Sequence, residues 1–353
     1  MIVQPYFGRL IPADRSRLLV PAPCSPPPGK LPFVILEAAA TNLLSAPVLA
    51  FVLGLVAVAV RSDLRLPEAL STSISIYLLL AIGVKGGVAL RSATLAEVAG
   101  PVALAFGLGL VIPLLAYVTL KWMSRLGPLD RGSVAAHYGS TSLVTFTAAL
   151  VFLQTSGIDY PGYGATLLTV LEIPGIVIGI LLASRASVGR VKWGAAIHEV
   201  LAGKSIVLLA GGLVLGFAIG DAGYVGVQPF LEEPFRGVLT LFLLGLGIEA
   251  GQRLGTLREA GPGLLVFAAL FPFVVGGGVV GLALLIGMGQ GGAVVLGILC
   301  GSASYIAAPA AVRFALPEAN LAVPLAASIG VTFPMNLVLG IPYLTWLAGA
   351  LTA

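Results

Sequence analysis

The sequence predicts an all-α, polytopic membrane protein, and three observations predict it. Mean hydropathy is +1.05. Only 10% of the 353 residues are charged, where an average soluble domain carries about a quarter, so little is left to cover a water-facing surface. Apolar runs long enough to cross a bilayer, about 17–25 residues each, recur along nearly the whole chain. The 46 glycines fit the same class, because small residues let membrane helices approach closely.

Residues 1–33 stand apart. "LVPAPCSPPPGKLP" is proline-rich and carries Lys30, with Arg9, Arg15 and Arg17 before it. It lacks the apolar core of a secretory signal and reads as a disordered arm or as sequence upstream of a later start. Ten spans follow, at about 36–60, 70–90, 99–120, 133–154, 163–184, 201–221, 235–252, 262–287, 291–312 and 322–349. Glycine and proline interrupt several of them, at "GVKGG" (83–87), "LEIPG" (171–175), "SASYIAAP" (302–309) and "VTFPMN" (331–336). Non-helical backbone at membrane depth survives only where protein or a water-filled cavity satisfies its polar groups.

The chain also repeats itself. "IGVKGGVAL" (82–90) aligns with "LGIEAGQRL" (246–254), "GSTS" (139–142) with "GSAS" (301–304), and "EIP" (172–174) with "TFP" (332–334), all at offsets of roughly 160–164 residues. An internal duplication keeps such order. The units are 34–190 and 191–353, each with five spans. An odd number forces the second copy to enter from the opposite face. Inverted repeats with interrupted helices are the signature of secondary transporters, whose sites lie near the midplane between the repeats.

Lys and Arg orient the chain. The loops after odd-numbered spans hold Arg61 and Arg65; Lys121, Arg125 and Arg131; Arg185, Arg190, Lys192 and Lys204; Arg253 and Arg258; and Arg313. The other side shows Arg91 and Arg236. The positive-inside rule puts the odd-numbered loops in the cytoplasm and both termini outside, in an inner (cytoplasmic) membrane. A net charge of +4 would suggest nucleic acid in a soluble protein; here it is topological, and no nucleic-acid partner is expected. Cys24 and Cys300 support no disulfide framework or metal cluster. GxxxxGK[ST], GxSxG and HExxH are missing from the sequence, so a pump, an enzyme or a resident cofactor is not expected.

Two related stretches carry the chemistry: "HYGSTSLVTF" (137–146) and "CGSASYIAAP" (300–309). If each breaks a helix at mid-membrane, the half-helix N-termini present unpaired N–H groups and positive partial charge. That suits a small anion without arginine. Serine and threonine hydroxyls add donors for an anion and acceptors for a cation. One such stretch would do no more than permit close packing; the repeated pair predicts an oxyanion site with an accompanying cation. Glu172 stands well inside "LTVLEIPGIVIG", where a central carboxylate costs about 2.5–3.5 kcal/mol and normally faces a cavity, an ion or a partner. His137 is a candidate partner for it. Its repeat mate is Thr332, near Asn336, and Pro174 and Pro334 each free a carbonyl one turn back, adding oxygens for a hard cation such as Na⁺. Lys85 and Glu249 occupy equivalent repeat positions and are expected to form a structural ion pair or, failing that, to contact the ions. His198 is a loop residue without metal-ligand spacing.

From about residue 45 onward the chain resembles the sodium-dependent bicarbonate transporter family. The similarity lies in "GVKGGVALRS" (83–92), "EEPFRGVLTLFLLGLGIEAGQRLGTLR" (232–258), "GSASYIAAPAAVRFALPEAN" (301–320) and "LGIPYL" (339–344). The resemblance implies ten helices in two inverted five-helix repeats, two broken helices crossing near the midplane, core and gate parts, and assembly as a trimer. It implies Na⁺-coupled bicarbonate import and a nitrogen-regulatory-like cytoplasmic partner. It places Gly139, Ser140, Thr141, Ser142 and Thr145 on one wall and Ser302, Ala303, Ser304 and Tyr305 on the other, with Glu172 beside them. The anion falls to Gly139–Ser142 and Ser302–Tyr305, and the cation to Thr145, Glu172, Ser302, Ser304, Thr332 and Asn336. The chain departs from the family pattern at Ala303, which replaces a serine, at Tyr305 and Glu172, which each replace an aspartate, and at Val144, which replaces a serine. The alternative cargo is another small organic or inorganic anion, coupled to Na⁺ or H⁺; an anion channel is the remaining alternative.

Overall fold

A computed structural model of the chain describes residues 43–185, 193–259 and 261–353. The N-terminal arm, the start of the first expected span, and Arg190 and Lys192 lie outside the described residues.

Among the described residues all regular structure is helical. The chain runs through α1 (Ala46–Ala59), α2 (Glu68–Ser92), α3 (Leu95–Met123), α4 (Pro128–Gly139), α5 (Leu143–Thr155) and α6 (Gly164–Ser184). It continues through α7 (Trp193–Leu201), α8 (Lys204–Tyr224), α9 (Gln228–Leu231), α10 (Phe235–Glu259), α11 (Pro262–Leu285), α12 (Gln290–Cys300) and α13 (Ala307–Ala315). A last segmented helix, α14, spans Ala322–Thr352. The starts follow local rules. Thr94 and Glu97 form a capping box on α3, satisfying two orphan donors reciprocally. Proline opens α1, α4 and α11, where a missing N–H costs nothing.

Among the described residues, eight helical segments are long and apolar enough to cross a membrane. The first and ninth expected spans correspond to the shorter apolar helices α1 and α12. The first expected span begins outside the described residues; the ninth is cut by the unwound segment after Cys300.

Two of the expected interruptions prove to be continuous helix. Through 83–87, α2 is unbroken; its glycines serve packing, since a Cβ on Gly87 would strike the Leu213 carbonyl of α8. Through 171–175, α6 also runs on, with Pro174 inside it. A Cβ on Gly175 would strike the Gly139 carbonyl, so glycine lets α6 press directly on the end of α4. The stretch 331–336 is neither broken nor regular: π-helical turns at Ser328–Thr332 and Asn336–Gly340 flank one α-helical turn. Such turns recur at functional sites.

The helices sort by their neighbours. α2 packs along α8, and α1 along α10. α4 and α6 pack together with α3, while α12 and α14 pack together with α11. The largest apolar core joins both groups, with Leu78, Leu79, Phe146, Leu168, Phe267 and Phe333 almost fully buried in it.

Candidate functional site

Two helices break where the sequence placed the Gly-Ser stretches. α4 ends at Gly139, Ser140 and Ser142 are extended, and α5 starts at Leu143. α12 ends at Cys300, and α13 starts only at Ala307. The breaks interlock. Ser142 N–H donates to Ser302 Oγ at 2.9 Å, and Ser304 N–H donates to the His137 carbonyl at 2.7 Å. Two backbone donors that unwinding exposes are thus satisfied by the opposite break, as burial demands.

The predicted site residues divide by what their polar atoms already do. Ser142 caps α5: its Oγ accepts from Thr145 N–H at 3.2 Å and from Thr145 Oγ1 at 2.9 Å. With both lone pairs used, its own proton is left to donate. Ser304 Oγ accepts from Ala308 N–H at 3.2 Å and likewise retains a proton. Ser302 donates to the Leu299 carbonyl at 2.8 Å while accepting from Ser142; it is chiefly a cross-link. Thr332 Oγ1 donates to the Ala268 carbonyl at 2.7 Å, so at its 2.6 Å contact with Tyr138 the tyrosine donates. Asn336 Nδ2 donates to the Gly301 carbonyl at 2.7 Å, holding the second break. Gly139 makes room for α6, and Ala303 is buried without a polar side chain.

The remaining groups are polar, buried and unpartnered: Ser140 Oγ, Thr141 Oγ1, Glu172 Oε2, Tyr305 OH and His137 Nε2. Glu172 is only 4% exposed. The His137 ring turns instead to the Ser133 carbonyl, 2.7 Å from Nδ1, so it does not neutralise Glu172. A buried polar atom without a partner costs about 1–3 kcal/mol, and so many at one crossing is the mark of a site built for something else.

Thr141, Ser142, Glu172, Ser304 and Tyr305 line one cavity of about 10 Å³, room for one water-sized particle. Ser205 of α8 also lines it, as do Leu79, Leu168 and Leu209. Gly139, Ser140, Thr145, Ser302, Ala303, Thr332 and Asn336 are not among its lining residues. Sequence reasoning missed Ser205. It lies at the start of a span in which the sequence marks no break, and only its hydroxyl beside Lys204 set it apart.

The Lys85–Glu249 pair is a correction. Lys85 Nζ meets Glu232 Oε1 at 2.8 Å, and Glu249 Oε1 meets Arg253 Nη2 at 2.8 Å. Lys85 shares its cavity with Tyr160 and Arg236, whereas Glu249 shares another with Glu68, the first residue of α2. From Glu68 to Lys85 the helix rises about 25 Å, so Lys85 and Glu249 fall toward opposite ends of α2.

The sequence profile of the Na⁺-dependent bicarbonate transporter superfamily matches residues 46–349. No curated protein matches the chain. The chain, a multi-pass membrane protein with two interlocked helix breaks inside the matched region, belongs to the Na⁺-dependent bicarbonate transporter superfamily of membrane transporters.

Proposed function

We propose that the protein imports bicarbonate by Na⁺-coupled symport, with the anion and Na⁺ held between the two helix breaks and released by alternating access. One observation carries this reading: Thr141, Glu172 and Tyr305 contribute unpartnered buried polar atoms to a single cavity where the breaks cross. The chemistry divides accordingly. The Ser142 and Ser304 protons and the first turns of α5 and α13 offer donors and positive partial charge to an oxyanion. The Glu172 carboxylate and the Thr141 oxygen offer ligands to a hard cation.

The ten-span architecture of two inverted repeats, 34–190 and 191–353, is supported by an exchange of neighbours. α1 and α2 are the first two spans of one copy, α8 and α10 of the other; α1 pairs with α10 and α2 with α8. A two-fold axis in the membrane plane produces that reciprocity. These four helices form the gate, and the helices around the breaks form the core that moves against it. The 10 Å³ cavity is smaller than an oxyanion of four heavy atoms, so loading the anion requires the core and gate to part. The basic odd-numbered loops face the cytoplasm and the termini lie outside. The trimer and a cytoplasmic regulatory partner are further expectations carried by the family. The protein is a transporter without catalytic chemistry or a resident cofactor.

Tyr305 and Ala303 favour one alternative cargo, a small carboxylate, because an aromatic wall accepts an apolar group that a serine-and-aspartate wall would not. Uptake of labelled bicarbonate into vesicles containing the purified chain tests both readings. Saturable uptake that requires an inward Na⁺ gradient is expected. Uptake indifferent to Na⁺ overturns symport, and stronger competition by acetate than by unlabelled bicarbonate selects the carboxylate.

A further inference from the structure

One stripe of α2 touches three cavities in turn. Glu68, Ser71, Thr72 and Ser75 line a cavity of about 200 Å³ at one end. Leu79 lines the small central cavity. Ile82, Lys85 and Gly86 line another cavity of about 200 Å³ at the far end. Steps of three and four residues keep all of these on one helix face, so the cavities follow one another along a single line.

The end that begins at Glu68 is the more polar route inward. Its other walls carry Lys204 and Glu249, and Ser75 Oγ is buried there without a partner. Two residues, Tyr305 and Ile306, line both this vestibule and the central cavity. Both lie on the unwound segment between α12 and α13, where no helical ladder holds the backbone. The Tyr305 ring rests edge-on against Phe333, with centroids 6.1 Å apart. Its hydroxyl is buried and makes no hydrogen bond. Such a phenol gains a partner by turning either way, toward an ion in the central cavity or toward water in the vestibule. Tyr305 thus stands between the two cavities.

We propose that Tyr305 is the gate between the central cavity and the vestibule, and that Glu68, Ser71, Thr72 and Ser75 form the hydrated path by which the cargo ions pass on that side. The proposal rests on the reading of the central cavity as the binding site. The hydroxyls of Ser71, Thr72 and Ser75 on the first two turns of α2 replace part of an ion's hydration as it moves, and carboxylates at Glu68 and Glu249 with the ammonium of Lys204 accommodate either sign of charge.

The test uses the full chain with Cys24 and Cys300 replaced by alanine, and a small, charged thiol reagent as probe. Thr72→Cys reports the vestibule and Thr141→Cys the central cavity. Thr72→Cys is expected to react fast with or without Tyr305→Ala, which also shows that the gate variant keeps its vestibule. Thr141→Cys is expected to react about tenfold faster when Tyr305→Ala is added, a shift of about 1.4 kcal/mol in access; Tyr305→Phe, which keeps the ring, leaves it shielded. Equal reactivity of Thr141→Cys with and without Tyr305→Ala overturns the gate, and a slow Thr72→Cys overturns the vestibule. Labelling does not depend on cargo. A persistent labelling contrast with no bicarbonate uptake by the unsubstituted chain supports the gate and refutes the bicarbonate reading; a lost contrast with intact uptake by the unsubstituted chain does the reverse.

Discussion

The two helix breaks are built from similar words and do different work. The first, at Ser140–Ser142, is short and wholly buried. Two of its hydroxyls, Ser140 Oγ and Thr141 Oγ1, have no partner. The second, from Gly301 to Ile306, is longer. Both of its serines are engaged, Asn336 anchors it through the Gly301 carbonyl, and it carries a tyrosine shared between two cavities. The first break offers free ligands, whereas the second supplies the frame and a movable wall. Sequence symmetry at such a site therefore does not imply equal roles. Hydrogen bonds already made determine which hydroxyls remain for a ligand.

The sharpest test of that division is Glu172, which stands beside the first break and is buried without a partner for Oε2. Glu172→Gln keeps the shape and removes the charge. The Na⁺ half-saturation of uptake is expected to rise about tenfold or more, equivalent to about 1.4 kcal/mol; an unaltered value removes Glu172 from the cation site. Next is Ser302→Ala in the second break. It strands the Ser142 N–H and should lower folding stability by about 1–3 kcal/mol, read as a fall in melting temperature of the purified protein. Thr141→Val in the first break should leave melting unchanged or slightly raised, because it removes an unsatisfied hydroxyl, while uptake falls. If both variants melt alike, the contrast between frame and ligand fails.

The smallest effect belongs to the surface charges. Lys85, with its side chain 50% exposed, and Glu232 form a pair worth at most about 1 kcal/mol. A double-mutant cycle of Lys85→Ala with Glu232→Ala should show coupling of about 0.2–1 kcal/mol. The same cycle with Glu249→Ala should be additive. Coupling to Glu249 instead would restore the pairing that repeat symmetry suggested.

Much of this molecule is written in local rules. Hydropathy placed most of the long helices, because an apolar run long enough to span a bilayer satisfies its backbone within its own helix. Gly-Ser runs marked both breaks for the same reason in reverse: hydroxyls and glycines suit positions where the helical ladder stops. Local rules also overreached. Glycine in 83–87 and proline in 171–175 look like breakers, yet α2 and α6 continue, since each residue answers to a neighbouring helix, the glycine of α2 to α8 and that of α6 to α4. Partners were the other gap. That Lys85 meets Glu232, that Ser205 joins the cavity, and that Tyr305 divides two cavities are facts about residues far apart in sequence. Composition and spacing settle the class, most of the spans and the two Gly-Ser breaks, because those depend on each residue's own solvation and backbone. Which hydroxyl is free and which charge is paired depend on the side chains brought beside them, and only the packed structure decides that.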